Sequence, residues 1–216
     1  MLLVKDSMTR DIVTLAPDET VGTALALCRE RRIRHLPVLS EGRLVGIVSD
    51  RDLRSATPAF GDHERAAALQ EILVEDVMAR EVISVLPDDP IEQAANTMRE
   101  RRIGCLPVVE GGELVGIITS SDVMSALVYL VGANEPGSRM EISVPDRPGS
   151  LAGAAGVFGM CGINIVSAAM GPTREPREEG AVRERVVVFR VDTIDTAEAV
   201  GYLEEAGYSV LWPPRP

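Results

Sequence analysis

An internal duplication constrains the fold of this 216-residue chain more than any other feature. Shifting the sequence by 70 positions aligns residues 4–53 with residues 74–123 without a gap, and 21 of the 50 aligned positions are identical. The pentapeptide RERRI occurs at 29–33 and again at 99–103, and LPV follows each copy after two intervening residues. The chain is therefore predicted to contain two copies of one structural unit.

Each copy predicts the order strand, helix, strand, strand, helix. A β-branched run that stops at proline predicts the first strand, and a segment with acids at its start and arginines at its end predicts the first helix. Two apolar strands joined by a glycine-containing turn then form a hairpin. Ser49 and Thr119 are good N-cap residues for the second helix. The four segments of copy one are IVTLAP, DETVGTALALCRERR, HLPVLSEGRLVGIVS and SDRDL.

Both copies also carry the motifs VxDxM, LPV and LVGI, followed by an aspartate, at the same spacing. With these motifs, residues 1–130 resemble the CBS domain. In that family two repeats pack about a pseudo-two-fold axis and leave two clefts that commonly hold adenine nucleotides or related adenosyl ligands. The resemblance implies a tandem module over 1–132, with repeat one at 1–56, a connector at 57–70 and repeat two at 71–132.

The residues themselves suit such a ligand. A hydroxyl at a helix N-terminus favours phosphate oxygens, and a carboxylate one turn later can accept both ribose hydroxyls. Arginines and a histidine beside the cleft, Arg31, Arg32, Arg34 and His35, could meet phosphate. The complete predicted set is Thr14, Ile33, Arg34, His35, Pro37, Ser49, Asp52, Ser84, Ile103, Cys105, Pro107, Thr119, Ser121 and Asp122.

Simpler interpretations stay open for these residues. Ser49 and Thr119 are helix caps whether or not they bind a ligand, and Asp52 and Asp122 fall in a first helical turn where acids are common. The RERR segments also fit solvated helix ends. A tandem module without a ligand, which only dimerises, is thus an alternative to a sensor.

The two copies differ at the positions that follow RERRI. Repeat one has Arg34 and His35 where repeat two has Gly104 and Cys105, and repeat one has Asp50 where repeat two has the neutral Ser120. Because a like charge beside phosphate is unfavourable, the cleft that uses Thr119 and Asp122 is predicted to bind a nucleotide more tightly.

A different pattern begins after a polar Pro/Gly linker at 133–138. The order β, α, β, β, α, β over 139–213 predicts a ferredoxin-like fold. The DRPGSL turn and the GIN strand entry resemble the ACT domain, a ligand-sensing module of amino-acid metabolism. The resemblance implies a small-ligand site, and an Asp at the first position would repel an amino-acid carboxylate; alternatively, DRPG only starts a helix. The matching positions are Asp146, Gly149, Ser150, Leu151 and Asn164.

The predicted fold class is thus α+β, a tandem CBS pair of two β-α-β-β-α repeats followed by a βαββαβ ACT domain. Composition restricts the classes of function that the chain can have. The net charge of −11 disfavours binding to nucleic acid or an anionic membrane. Lys5 is the only lysine, so a GKS or GKT phosphate loop is excluded, and three scattered cysteines disfavour a disulfide framework or zinc site.

The chain is therefore predicted to be a cytoplasmic regulator and not an enzyme, with no metal. Its expected ligands are AMP, ADP, ATP or S-adenosylmethionine, and its expected partners are small-molecule effectors, a second copy in a homodimer and a regulated enzyme. A nucleotide-processing enzyme remains the other alternative, which an assay for ATP turnover would reveal.

Overall fold

A computed structural model of the chain describes residues 2–56, 67, 69–174 and 182–214. The connector predicted over 57–70 lies almost entirely outside these residues, as does most of the segment between the second and third predicted strands after residue 138. Repeat one contains α1 (Val4–Ser7), α2 (Val21–Arg31), β1 (His35–Ser40), β2 (Arg43–Ser49) and α3 (Asp50–Ser55). Repeat two contains α4 (Val74–Val77), α5 (Ile91–Arg101), β3 (Cys105–Glu110), β4 (Glu113–Thr119) and α6 (Ser120–Leu130).

The two hairpins have the same register. His35 pairs with Ser49 at the open end of β1 and β2, as Cys105 pairs with Thr119 in β3 and β4. Gly42 lies at the tip of the first turn with φ 76°, a left-handed conformation that turns of this kind require. Each hairpin thus holds its helix N-cap directly beside the second residue after the RERRI segment.

The predicted first strand of each repeat is reduced to a single parallel bridge. Leu15 bridges to Val38, and Val85 bridges to Val108. The Leu15 N–H donates to the Pro37 carbonyl at 3.0 Å, and the Leu15 carbonyl accepts from the Leu39 N–H at 2.8 Å. Pro17, two residues later, has no N–H with which to continue such a ladder, so the pairing stops there.

The short N-terminal helices are exchanged between the repeats. Val4 and Met8 belong to the hydrophobic core of repeat two, whereas Val74 and Met78 belong to the core of repeat one. Backbone pairing supports the exchange, since Thr9 bridges to Ile117 in β4. Neither repeat therefore completes its core with its own first helix.

The C-terminal part of the chain is a four-stranded antiparallel sheet with two helices. Its elements are β5 (Ser138–Pro145), α7 (Ser150–Met160), β6 (Ile165–Arg174), β7 (Glu184–Val191), α8 (Ala197–Glu205) and β8 (Ser209–Trp212). The strand order is β6-β7-β5-β8, which confirms the predicted βαββαβ arrangement. Phe158 of α7 packs against Phe189 of β7, with ring centroids 5.0 Å apart, in the buried core.

The chain divides into two compact units, Met1–Ala126 and Leu127–Pro216, and the division falls within helix α6. The sequence-based boundaries at 132 and 139 lie a few residues further along and stay predictions.

Candidate functional site

The N-terminal unit contains a groove of about 840 Å³ that residues from both repeats line. The groove brings together residues that the sequence places 70 positions apart. Most of the predicted binding residues lie in its lining: Ile33, Arg34, His35, Ser49, Asp52, Ile103, Cys105, Pro107, Thr119, Ser121 and Asp122.

Three predicted residues, Thr14, Pro37 and Ser84, are not part of this lining, and their contact with a ligand stays a prediction. The residues just before Thr14 and Ser84 line it instead, namely Ile12 and Val13 in repeat one and Val82 and Ile83 in repeat two. Pro37 is buried within β1. Apolar side chains thus line the groove next to the two positions whose hydroxyl groups are predicted to read the edge of a base.

Ser49 and Asp52 form a reciprocal cap at the start of α3. Asp52 Oδ2 accepts from the Ser49 backbone N–H at 3.1 Å and from the Ser49 hydroxyl at 2.6 Å. The Asp52 N–H in turn donates to Ser49 Oγ at 3.2 Å. This arrangement is a capping box, in which both residues satisfy free backbone groups of the helix.

Thr119 and Asp122 repeat the arrangement at the start of α6. Asp122 Oδ2 accepts from the Thr119 N–H at 2.8 Å and from its hydroxyl at 2.7 Å. The second carboxylate oxygen of each aspartate remains available in the groove. A phosphate at either hydroxyl would compete with the capping carboxylate for the hydroxyl proton, whereas a ribose could use the second oxygen.

The two repeats meet in the groove at the positions where their sequences differ most. A Cβ atom added to Gly104 would lie 3.2 Å from His35 Nε2, so the imidazole occupies the space that a side chain at 104 would need. Burial, followed by the charge of Arg34, lowers the pKa of His35, while Asp52 raises it. The folded protein therefore resists protonation of this imidazole.

Cys105, the counterpart of His35, is buried in the same wall. Burial raises the pKa of its thiol to about 12, so the thiolate that could act as a nucleophile or metal ligand is scarce at neutral pH. Cys105 contributes an apolar surface to the groove. Among the described residues no group of three or more His, Cys, Asp or Glu side chains has an arrangement that could hold a metal ion.

The cap neighbours Asp50 and Ser120 also differ in their contacts. Asp50 pairs with Arg54 at 2.9 Å along α3, so its charge is partly compensated. Ser120 instead donates through Oγ to the Gly104 carbonyl at 3.2 Å. The two halves of the groove thus differ in charge as well as in shape.

Several groove residues were not in the complete predicted set, although Arg32 was among the arginines predicted to meet phosphate. Asp11 and Glu81 occupy equivalent positions in the two repeats, as do Arg32 and Arg102. Arg31 does not line the groove but lies 3.8 Å from Glu30. The exact repetition of RERRI was the sequence signal for the arginines, but it did not indicate which of them face inward.

In the C-terminal unit, the predicted ligand residue Asp146 has protein partners. The Asp146 carboxylate pairs with Arg185 at 3.2 Å and accepts from Thr173 Oγ1 at 3.2 Å. Arg185 therefore offsets the charge that was expected to repel a carboxylate. Gly149, with φ 88°, precedes helix α7, whose first turn contains Ser150 and Leu151. The Asn164 N–H donates to Asp192 Oδ1 at 3.0 Å.

In the part of the chain that the structure describes, no helix is both long enough and apolar enough to cross a membrane.

Comparison with known proteins agrees with this geometry. The model of the CBS domain family matches residues 4–58 and 74–129, and that of the ACT domain family matches residues 138–207. A crystal structure of a Vibrio cholerae protein named as acetoin utilization protein AcuB is 38% identical, with a TM-score of 0.53 over 62% of this chain and 96% of that one.

Two further similar structures were solved with adenosyl compounds. CBSX2 in complex with AMP is 31% identical, with a TM-score of 0.51 over 60% of this chain and 98% of that chain. The CBS domain pair of protein MJ0100, in complex with 5-methylthioadenosine and S-adenosyl-L-methionine, is 28% identical, with a TM-score of 0.51 over 62% of this chain and 99% of that chain.

Proposed function

Because the chain belongs to the CBS domain family and carries an ACT domain after its two repeats, we propose that it is a regulatory protein that senses an adenosyl ligand. The ligand, an adenine nucleotide or S-adenosylmethionine, binds in the groove between the repeats. The observation that carries the proposal is the lining of this groove, where hydroxyl, carboxylate and guanidinium groups from both repeats converge. Similar CBS pairs hold AMP or S-adenosyl-L-methionine, which supports the same chemistry here.

The groove offers a place for each part of such a ligand. The adenine lies between aliphatic side chains such as Val13, Ile33, Ile83 and Ile103, because the chain has few aromatic residues. The ribose hydroxyls donate to the second oxygen of Asp52 or Asp122. A 5′ substituent then extends toward the helix N-terminus, where backbone amides and the helix dipole favour negative charge.

Binding acts on the protein by favouring one packing of the repeats over another. A ligand shifts such an equilibrium only through its different affinity for the two arrangements, and couplings between sites are typically about 1–3 kcal/mol. We assign the ACT domain a second small-ligand input or a dimer contact, and the regulated target is an enzyme partner in the cytoplasm.

The proposal is tested by calorimetry and thermal unfolding with AMP, ADP, ATP and S-adenosylmethionine. A ligand at about 100 times its Kd stabilises the fold by roughly 2.7 kcal/mol, which gives a clear rise in Tm. We expect Asp122→Ala to weaken binding about 10-fold more than Asp52→Ala does. The reason is that Asp50 adds negative charge to the half of the groove that contains Ser49 and Asp52. Asp→Asn variants, which keep an acceptor for the cap, serve as folding controls.

Each alternative has its own result. Equal losses of affinity in the two alanine variants would contradict the ranking of the two sites. No change in Tm with any adenosyl compound would favour a module that only dimerises. Turnover of ATP in the presence of Mg²⁺ would show an enzyme instead.

A further inference from the structure

His35 is a groove residue of repeat one whose side chain lies against repeat two. A Cβ atom at Gly104 would lie 3.2 Å from His35 Nε2 and 3.3 Å from Cε1. His35 begins β1 and pairs with Ser49, so the ring extends from the end of the hairpin that carries the helix cap. The imidazole of repeat one thus fills a space that repeat two leaves open by having glycine at position 104.

The contact is one-sided, because the counterpart residues differ. Repeat two has Cys105 in place of His35, and repeat one has Arg34 in place of Gly104. The Cys105 thiol is shorter than an imidazole, and burial raises its pKa to about 12, so it stays neutral. A response to pH through this contact therefore belongs to one half of the groove.

Gly104 offers a protonated ring no free acceptor. Its carbonyl already accepts from the Ser120 backbone N–H at 3.0 Å and from the Ser120 hydroxyl at 3.2 Å. A carbonyl oxygen has two lone pairs, so these two bonds occupy both. A charged imidazole in this place would lose hydration without gaining a hydrogen bond from Gly104, a cost that the neutral ring avoids.

Repeat one offers the charged ring a different partner. Burial, followed by the charge of Arg34, lowers the pKa of His35, whereas the carboxylate of Asp52 raises it. One oxygen of Asp52 accepts from the backbone N–H and the hydroxyl of Ser49 in the capping box, which leaves the other oxygen for an imidazolium. A positive charge on the ring is thus attracted away from repeat two and toward Asp52 of its own repeat.

Other titratable side chains line the groove on both sides of His35. Asp50 forms an ion pair along α3 and Asp122 caps α6, so both carboxylates already have partners. Among the described groups, Arg34 and Asp52 are the ones whose charges shift the pKa of His35. The remaining titratable groups of the lining are Asp11, Arg32, Arg51, Glu81, Arg102 and Cys105.

We propose that His35 is a proton-sensitive contact between the repeats, which lies against Gly104 when neutral and moves to Asp52 when protonated. In the second position the ring takes the carboxylate oxygen that a ribose would use. Acidification therefore weakens adenosyl binding in the half of the groove that contains Asp52 and not in the half that contains Asp122. This effect on the ligand rests on the proposed function, whereas the movement of the ring does not.

The contact is tested first without a ligand, by proton NMR titration of the imidazole. The chain has two histidines, so His63→Gln leaves His35 as the only imidazole signal. In that background we expect a His35 pKa below 6.5. Gly104→Ala, whose methyl group displaces the ring, should raise this pKa. Gly156→Ala, whose methyl group meets nothing within 4 Å, is the matched control and should leave it unchanged.

A second variant tests the acidic partner. Asp52→Asn keeps an acceptor for the helix cap but removes the negative charge, so it should lower the pKa of His35 further. A His35 pKa of 6.5 or above in the original groove, or a pKa that neither Gly104→Ala nor Asp52→Asn changes, would overturn the proposal.

The effect on the ligand is tested by calorimetry with adenosine at about pH 7.5 and about pH 5.5. Adenosine is the probe because it has no phosphate, whose second pKa of about 6 falls in the same range. In Asp122→Ala, which leaves the first half of the groove intact, we expect about 5-fold weaker binding at the lower pH. In Asp52→Ala, which leaves the second half intact, the affinity should be the same at both pH values.

Two further variants identify the responsible imidazole. Adding His35→Gln to Asp122→Ala should remove the pH dependence, and adding His63→Gln should preserve it. Equal adenosine affinity at both pH values in Asp122→Ala would overturn the effect on the ligand. If no adenosyl compound binds at either pH, the proposed function fails, and the NMR titration still decides whether the contact responds to protons.

Discussion

His35 and Gly104 show what single residues reveal and conceal. The sequence exposed their difference, because RERRI is followed by RH in one copy and by GC in the other. It did not reveal that the imidazole of one repeat lies against the glycine of the other, since a contact between repeats leaves no local pattern. The capping boxes at Ser49 and Thr119 were predictable because they depend on residues only three positions apart.

The shifted pKa of His35 predicts a pH dependence of stability. Burial lowers this pKa below the ordinary value of 6.5, so the unfolded chain binds a proton that the folded chain resists. The unfolding free energy therefore rises with pH across the interval between the folded and unfolded pKa values. This contribution of His35 is lost on acidification below about pH 6.5. We expect the Tm to fall between about pH 7.5 and 5.5, and to fall less in His35→Gln.

Comparing the original chain with His35→Gln across this pH range separates the contribution of the histidine to Tm from that of other titrating groups. Arg34 and Asp52 are the charged groups that influence it, one lowering its pKa and the other raising it. An identical slope of Tm against pH in His35→Gln would show that the imidazole is not the responsible group.

At the scale of elements, the hairpins and main helices follow from local patterns, whereas the exchange of α1 and α4 does not. Both short helices carry the same VxDxM motif, so either could fill either core with equal hydrophobic periodicity. The choice depends on contacts between distant residues. The exchange is visible at Gly46 and Gly116. Each glycine leaves space in its strand for the sulfur of a methionine from the other repeat, Met78 at Gly46 and Met8 at Gly116.

This close approach predicts the effect of a single methyl group. The Cβ of Gly46→Ala would overlap the Met78 sulfur and approach the Ala79 carbonyl oxygen to 3.3 Å. We expect a loss of about 1–3 kcal/mol in unfolding free energy, as for other overpacked cores. In a Met78→Ala background the same change should cost much less. A double-mutant cycle by urea unfolding measures this coupling, and purely additive effects would contradict the contact.

For the whole molecule, the duplication predicted two copies of one unit, and the resemblance of the VxDxM, LPV, LVGI, DRPGSL and GIN motifs to two known families predicted a tandem CBS pair and an ACT domain. Surface properties needed the structure. Helix α6 exposes large apolar side chains, including Met124 at 61% and Tyr129 at 69% exposure. The sequence could not separate these residues from core residues, because α6 also buries Val123 and Ala126 on another side. Exposed apolar clusters of this kind mark interaction surfaces.

We therefore expect a homodimer whose contact includes these exposed apolar side chains of α6. Sedimentation should give twice the chain mass of 23.2 kDa, and the variant Met124→Glu with Tyr129→Glu should shift the protein to monomer. Asn96→Glu, on the exposed side of α5, adds negative charge elsewhere and should leave the assembly unchanged. A monomeric original chain, or a dimer insensitive to the glutamates, would rule out this contact.

The exchange of α1 and α4 between the repeats has a consequence for how such a chain could arise. A lone ancestral copy would have held its first helix outside its own interior and could have closed that interior only by accepting the same helix from a sister molecule. Gene duplication would then have joined two copies that already depended on each other for the first helix. Deleting either repeat would leave the core of the other without its first helix, so we expect neither repeat to fold alone.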